Sequence, residues 1–142
     1  MSNIIDRARE FILDIDNKYK IKFAYVFGSQ ATGKATENSD IDIAVYFEED
    51  YAPMQDAFVR GDILEDGKAF FKKDVDVVSL NSVSSLLLKY EIIHDGIIIK
   101  DDEERADFES LSLREYFDFK YYSDIYDDIM IDKIKNRKFF RG

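Results

Sequence analysis

Over residues 4–19, IIDRAREFILDIDNKY, the apolar positions Ile4, Ile5, Ala8, Phe11, Ile12 and Ile15 fall on one helical face. This spacing predicts an amphipathic helix. The pattern then changes: IKFAYVF, 21–27, is a compact β-type run that stops at Gly28. IDIAVYF, 41–47, alternates, with Ile41, Ile43, Val45 and Phe47 on one side of a second strand. Residues 53–72, opened by the single proline Pro53, read as a helix interrupted around Gly61. DVDVVSL, 74–80, is a third strand. Ser82 is placed to cap a helix through VSSLLLKYEIIH, which Asp95–Gly96 stops. IIIK, 97–100, forms a short strand, and 102 to about 135 is helical and rich in aromatics. The order α-β-β-α-β-α-β-α predicts an α+β fold, a mixed β-sheet with helices packed against it.

Length and composition keep this to one unit. A chain of 142 residues with 46% hydrophobic and 15% aromatic residues buries a real core in a single domain, expected to span 1–142. It has no cysteine, which excludes disulfides and thiolate-held metals and fits a cytoplasmic location. MSNIIDRARE lacks the long apolar stretch of a signal peptide, and no apolar run is long enough to span a membrane.

The net charge of −10 argues against direct nucleic-acid binding, because that affinity comes mostly from Lys and Arg on phosphates. An acidic chain that handles a nucleotide needs metal ions to do so. A basic tail, 133–142, is the local exception: Lys133, Lys135, Arg137, Lys138 and Arg141 occur without an acid, and read as a solvated helix end.

Two phosphate motifs overlap at Gly28. GSQATGKA, 28–35, falls one residue short of a P-loop. A P-loop lysine is followed by a hydroxyl residue that holds Mg²⁺ and by a long helix. Here Ala35 follows Lys34, and a polar string leads into a strand. The other motif is Gly28–Ser29, ten residues, then Asp40-x-Asp42. Alternate residues of a strand share a face, so Asp40 and Asp42 project together while Ile41 and Ile43 face the core. Two carboxylates about 4 Å apart repel by about 4 kcal/mol at an effective dielectric near 20, which calls for a cation or a proton between them. DVDV, 74–77, repeats the device with Asp74 and Asp76. If these strands are neighbours, the carboxylates converge into an oxygen-rich site suited to Mg²⁺ or Mn²⁺. Gly28 lets the backbone approach an anion, and Ser29 adds a hydroxyl.

This combination resembles the DNA polymerase beta-like nucleotidyltransferase superfamily, with its G-S, its D-x-D and a third carboxylate on a nearby strand. VFGSQATGKATENSDIDIAVYF, DVDVVSLNSVSSLLLKYEIIHDGIII and REYFDFKYY resemble the minimal nucleotidyltransferase (MNT) antitoxins over nearly the whole chain. The resemblance implies a polymerase beta-like nucleotidyltransferase fold with Asp40, Asp42 and Asp76 as metal ligands and catalytic groups. Asp76 is preferred to Asp74 because it sits between valines, as in the family's V-D-V. Gly28 and Ser29 are expected to hold the nucleotide. Many relatives carry Arg where this chain has Gln30 or Thr32, and Lys34 is the expected substitute.

The implied reaction is transfer of AMP from ATP, with two Mg²⁺ ions, to a tyrosine of a HEPN-type ribonuclease toxin, which is thereby neutralised. Homo- or hetero-oligomers are compatible with this. Two other readings stay open: a non-catalytic antitoxin that blocks its partner sterically, and a nucleotidyltransferase acting on a small molecule or an RNA end. His94 reads as structural or solvated, and DDEER, 101–105, as a first helical turn that complements the dipole. Tyr116, Phe117, Phe119, Tyr121, Tyr122 and Tyr126 are divided between core packing and an interface.

Overall fold

The computed structural model describes residues 3–141, with side chains described as far as Asn136. Helix α1, Ile4–Tyr19, is opened by Asn3, whose Oδ1 accepts the Asp6 N–H at 2.8 Å. Lys20, in the left-handed conformation, turns the chain into β1, Ile21–Phe27. A four-residue helix that the periodicity did not disclose, α2, Ser29–Thr32, follows before β2, Ile41–Phe47. The remaining elements are α3, Pro53–Phe71; β3, Val75–Ser79; α4, Leu86–Asp95; β4, Ile97–Lys100; and α5, Glu104–Arg141.

The sheet order is β3-β2-β1-β4. β1 runs antiparallel to both β2 and β4, and β2 runs parallel to β3. One sheet face is apolar except at Ser79, which donates to Asp56 of α3. Val26, Ile43, Val45 and Val77 pack there against Phe11, Ile12 and Ile15 of α1 and Ile63 and Phe71 of α3. The other face carries Phe23, Tyr25 and Ala44 against Ile92 of α4 and Phe108 of α5. The α+β mixed sheet expected from the pattern is therefore the observed fold.

Two helix expectations are corrected. α3 is continuous through Gly61, which is exposed and has open space where a Cβ would stand. A helical glycine costs only about 1 kcal/mol relative to alanine, less than burial of Ile63 and Phe71 returns. The glycine that matters is Gly67: a Cβ there would meet Val75 Cγ1 at 3.2 Å, so its bareness lets α3 lie close on β3.

The second correction concerns the cap of α4. It is Ser85, whose Oγ accepts the Leu88 N–H at 3.1 Å. Ser82 is engaged elsewhere, donating its hydroxyl to Asp56 Oδ1 at 3.1 Å.

The acidic run 101–105 is not itself the first turn, because α5 begins at Glu104 and Asp101–Glu103 precede it. Asp102 Oδ2 accepts the Glu104 N–H at 2.9 Å, and Arg105 binds Asp101 at 2.6 Å, which lowers the Asp101 carboxyl pKa. His94 is exposed, bonded to Asp95 at 2.8 Å and stacked on Tyr90. Among the described residues no helix is long and apolar enough to cross a membrane. The side chains of Arg137, Lys138 and Arg141 in the basic tail lie outside the described residues, as does Gly142.

Candidate active site at the sheet edge

Strand directions bring the motif residues to one edge. β1 ends where antiparallel β2 begins, and Phe27 pairs with Asp42. β2 and β3 begin together, with Asp42 opposite Asp76 in the parallel register. Residues in register on neighbouring strands point to the same side of a sheet, so these two carboxylates share a face. Ile41 and Ile43 turn the other way into the core. Asp40 stands two residues before Asp42, exposed, and Gln30 of α2 donates to its carbonyl at 3.5 Å.

Asp42 is the inner member of the set. It is half-buried, and its pKa is raised by burial first, then by the negative charges of Asp76 and Asp40. Asp74 is not among these causes. Its carbonyl accepts the Ile41 N–H at 3.0 Å, and it shares a cavity of about 220 Å³ with Ser39, Asp40, Lys72 and Lys73. Of the two, Asp76 is the one in register with Asp42.

Gly28 faces Asp42 from the end of β1. Its backbone, φ 72° and ψ −150°, is a conformation essentially reserved for glycine. A Cβ built on it would stand 2.3 Å from Asp42 Oδ2. Both the turn and the close approach therefore exclude a side chain. Ser29 opens α2, whose first turn is closed by the Ala31 and Thr32 N–H groups donating to the Gly28 carbonyl. Gly33 ends α2 in the left-handed conformation. Lys34 follows, exposed, with its backbone N–H on the Ser29 carbonyl at 3.1 Å.

No long helix starts at Lys34; a loop leads to β2. The P-loop reading therefore fails. The short α2 was hidden because four residues carry no periodicity, although its bracketing glycines, Gly28 and Gly33, mark it in GSQATG.

The donor set fits divalent metal. All candidate ligands are carboxylates, the chemistry hard cations prefer, and the innermost is held beside two others of like charge. Among the described residues no three acidic or imidazole side chains close around a single point. Mutually repelling carboxylates close on one another when a cation or a proton offsets their charge.

Comparison with known proteins agrees with this geometry. Residues 10–105 match the family described as Polymerase beta, Nucleotidyltransferase. Protein adenylyltransferase MntA of Shewanella oneidensis is 30% identical over 118 residues, covering 81% of each chain. A crystal structure of a toxin–antitoxin with AMP-PNP superposes with a TM-score of 0.70 at 25% identity, over 86% of this chain and 98% of that one. The MNT antitoxin in complex with the tri-AMPylated HEPN toxin of Shewanella oneidensis has the same fold, at a TM-score of 0.66 and 23% identity, over 89% of this chain and 99% of that one. The chain belongs to the polymerase beta nucleotidyltransferase family, among its minimal members, the MNT protein adenylyltransferases.

Proposed function

We propose that this protein is an antitoxin that transfers AMP from ATP to a tyrosine hydroxyl of a HEPN-type toxin in the cytoplasm. Residues 1–142 act as one catalytic unit. The observation that carries the reading is the in-register pair Asp42–Asp76 behind the Gly28–Ser29 turn, in a chain that covers 81% of a protein adenylyltransferase.

The turn offers backbone N–H groups and the Ser29 hydroxyl to the triphosphate. Lys34, tied through its backbone to Ser29, is the cation offered to the leaving pyrophosphate. Asp76, exposed on the shared face, is positioned to take the proton of the attacking hydroxyl. Two Mg²⁺ or Mn²⁺ ions held by Asp40, Asp42 and Asp76 would supply charge neutralisation for the phosphates and acidify the acceptor hydroxyl. No covalent enzyme intermediate is required, so the bond to phosphorus forms at the acceptor oxygen as the bond to pyrophosphate breaks.

The protein-acceptor reading is supported by economy of structure. Among the described residues, the four strands and the helices up to the first turns of α5 build or cover the sheet. The acceptor then brings its own binding surface.

The test is incubation with α-labelled ATP, Mg²⁺ and a HEPN-type toxin. Label on a tyrosine of that protein, abolished by EDTA, is the expected result. Tight binding without label would make the chain a steric antitoxin. Label confined to RNA or a small molecule would move it to another branch of the family.

A further inference from the structure

Two lysines stand at the catalytic edge without a part in the mechanism. Lys72 closes α3 in the left-handed conformation, φ 56°, with its N–H on the Lys68 carbonyl at 2.9 Å. Lys73 and Asp74 then lead directly into β3. The Ile41 N–H on the Asp74 carbonyl, at 3.0 Å, ties this turn to the start of β2. Lys72 and Lys73 accordingly share the cavity of about 220 Å³ with Ser39, Asp40 and Asp74. They also line a more open cavity of about 420 Å³ with Lys68.

The sheet order determines which reactant they face. At this edge β1 ends in the Gly28–Ser29 turn, β2 begins beside Asp40 and Asp42, and β3, on the far side of β2, presents Asp76. Transfer at phosphorus proceeds in line, with the attacking and leaving oxygens on opposite sides. With pyrophosphate on the Gly28–Ser29 turn and the phosphorus at the carboxylates, the acceptor approaches over β3. The order β1-β2-β3 is then leaving group, metal site, acceptor. Lys34, tied to Ser29, stands on the first side, and Lys72 and Lys73 stand on the last.

Their charge is not taken up by the neighbouring acids. Glu37, Asp40 and Asp74 line the same cavity, yet no ion pair among the described residues includes Lys72 or Lys73. The dipole of α3 favours a cation in its last turn, and Lys68 already supplies one. Lys73 is half-buried rather than extended into solvent. An acceptor with a basic surface would be drawn to Asp40, Asp42, Asp74 and Asp76 without any lysine, whereas an anionic one would be repelled. Two unpaired cations on the acceptor side answer that repulsion.

We infer that Lys72 and Lys73 are positioning residues that bind an anionic group carried by the acceptor beside its reacting hydroxyl. The inference rests on the adenylyltransferase reading and adds which acceptors that site takes. Two sources share this chemistry. One is a carboxylate next to the acceptor tyrosine. The other is the phosphodiester of an AMP already transferred, whose ribose hydroxyls are themselves acceptors. In that second transfer a ribose oxygen bonds to the α-phosphorus of a new ATP, pyrophosphate leaves, and the hydroxyl proton passes to Asp76, as in the first.

The test compares the full wild-type chain with Lys72→Ala plus Lys73→Ala and with Lys72→Arg plus Lys73→Arg. Each is given α-labelled ATP, Mg²⁺ and a HEPN-type toxin, and AMP is counted per toxin by intact mass. If a carboxylate is bound, the alanine pair should raise the toxin KM of the first transfer at least fivefold. If a phosphodiester is bound, it should leave the first transfer as it was and slow the second at least fivefold. In both cases the KM for ATP should stay within twofold, and the arginine pair should recover the lost rate, which separates loss of charge from loss of fold. An alanine pair that matches the wild type in every transfer overturns the inference. So does a defect confined to the KM for ATP, because the lysines then serve the nucleotide. A wild-type chain that labels no acceptor defeats the adenylyltransferase reading and this inference with it, whereas the two preceding results defeat the inference alone.

Discussion

Gly28 and Asp42 are packed so closely that a Cβ on the glycine would stand 2.3 Å from the carboxylate oxygen Oδ2. The Gly28–Ser29 turn and the inner acid are therefore one structural unit, and a substitution at either is felt at the other. Gly28→Ala adds a clash to a backbone with φ at 72°, together costing about 1–3 kcal/mol. To relieve it Asp42 must move, so nucleotide transfer should fall at least tenfold while the protein remains folded at room temperature. A thermal melt paired with a transfer assay separates the two effects. Wild-type transfer by Gly28→Ala would mean that the turn does not set the position of Asp42.

Asp42→Asn is the complementary change. The carboxyl is disfavoured as an anion by burial and by Asp76 and Asp40, so an amide in its place removes repulsion rather than support. In EDTA the variant should unfold at the same or higher denaturant concentration than the parent. Transfer should nevertheless drop by orders of magnitude, because the inner ligand has lost its charge. A variant both less stable and fully active contradicts the role given to this residue.

What could be read beforehand, and what could not, follows from distance along the chain. Gly28–Ser29 and Asp40–Asp42 lie within fifteen residues, and the alternation Ile41, Asp42, Ile43 states which side chain faces the core. The strand runs were equally local. Asp56 was not legible at all. It is a charged residue on a helix, yet only 2% exposed, because it accepts from Ser79 at 2.8 Å and Ser82 at 3.1 Å, 23 and 26 residues away. That same long-range bond removed Ser82 from the cap where its neighbours placed it. Asp76 could be singled out only by likeness to a family, because its pairing with Asp42 depends on how β2 and β3 lie side by side.

Asp56 carries its own prediction. Arg60 also donates to it, at 2.7 Å, so truncation leaves two hydroxyls and a guanidinium without their acceptor. Removing one member of such a buried set costs about 3–5 kcal/mol, reduced here because the Arg60 side chain is 40% exposed and can turn to water. Asp56→Ala should lower stability by about 2–4 kcal/mol in urea unfolding. Because Ser79 lies three residues along β3 from Asp76, about 10 Å, the folded fraction should keep its transfer rate. A large loss of specific activity in the folded fraction would tie α3 to the chemistry.

Tyr25 gives the pH dependence. Its hydroxyl donates to Glu109 Oε1 at 2.5 Å, and Arg105 holds Glu109 from the other side at 2.9 Å. Burial first, and then the hydrogen bond to Glu109, push the phenol pKa well above its ordinary 10.0. For an acid whose folded pKa is raised, the neutral form is the stabilised one. That stability is fully present below pH 10 and is lost as the unfolded chain begins to ionise above it. Tyr25→Phe removes one hydrogen bond, worth about 1 kcal/mol at pH 8. Its deficit should shrink above pH 10 and vanish as the wild-type phenol pays for staying protonated. Urea unfolding of both proteins from pH 8 to pH 11 checks this. A deficit that stays constant across that range would show that Tyr25 ionises as easily in the fold as out of it, and that the Tyr25–Glu109 bond does not fasten α5 to the sheet.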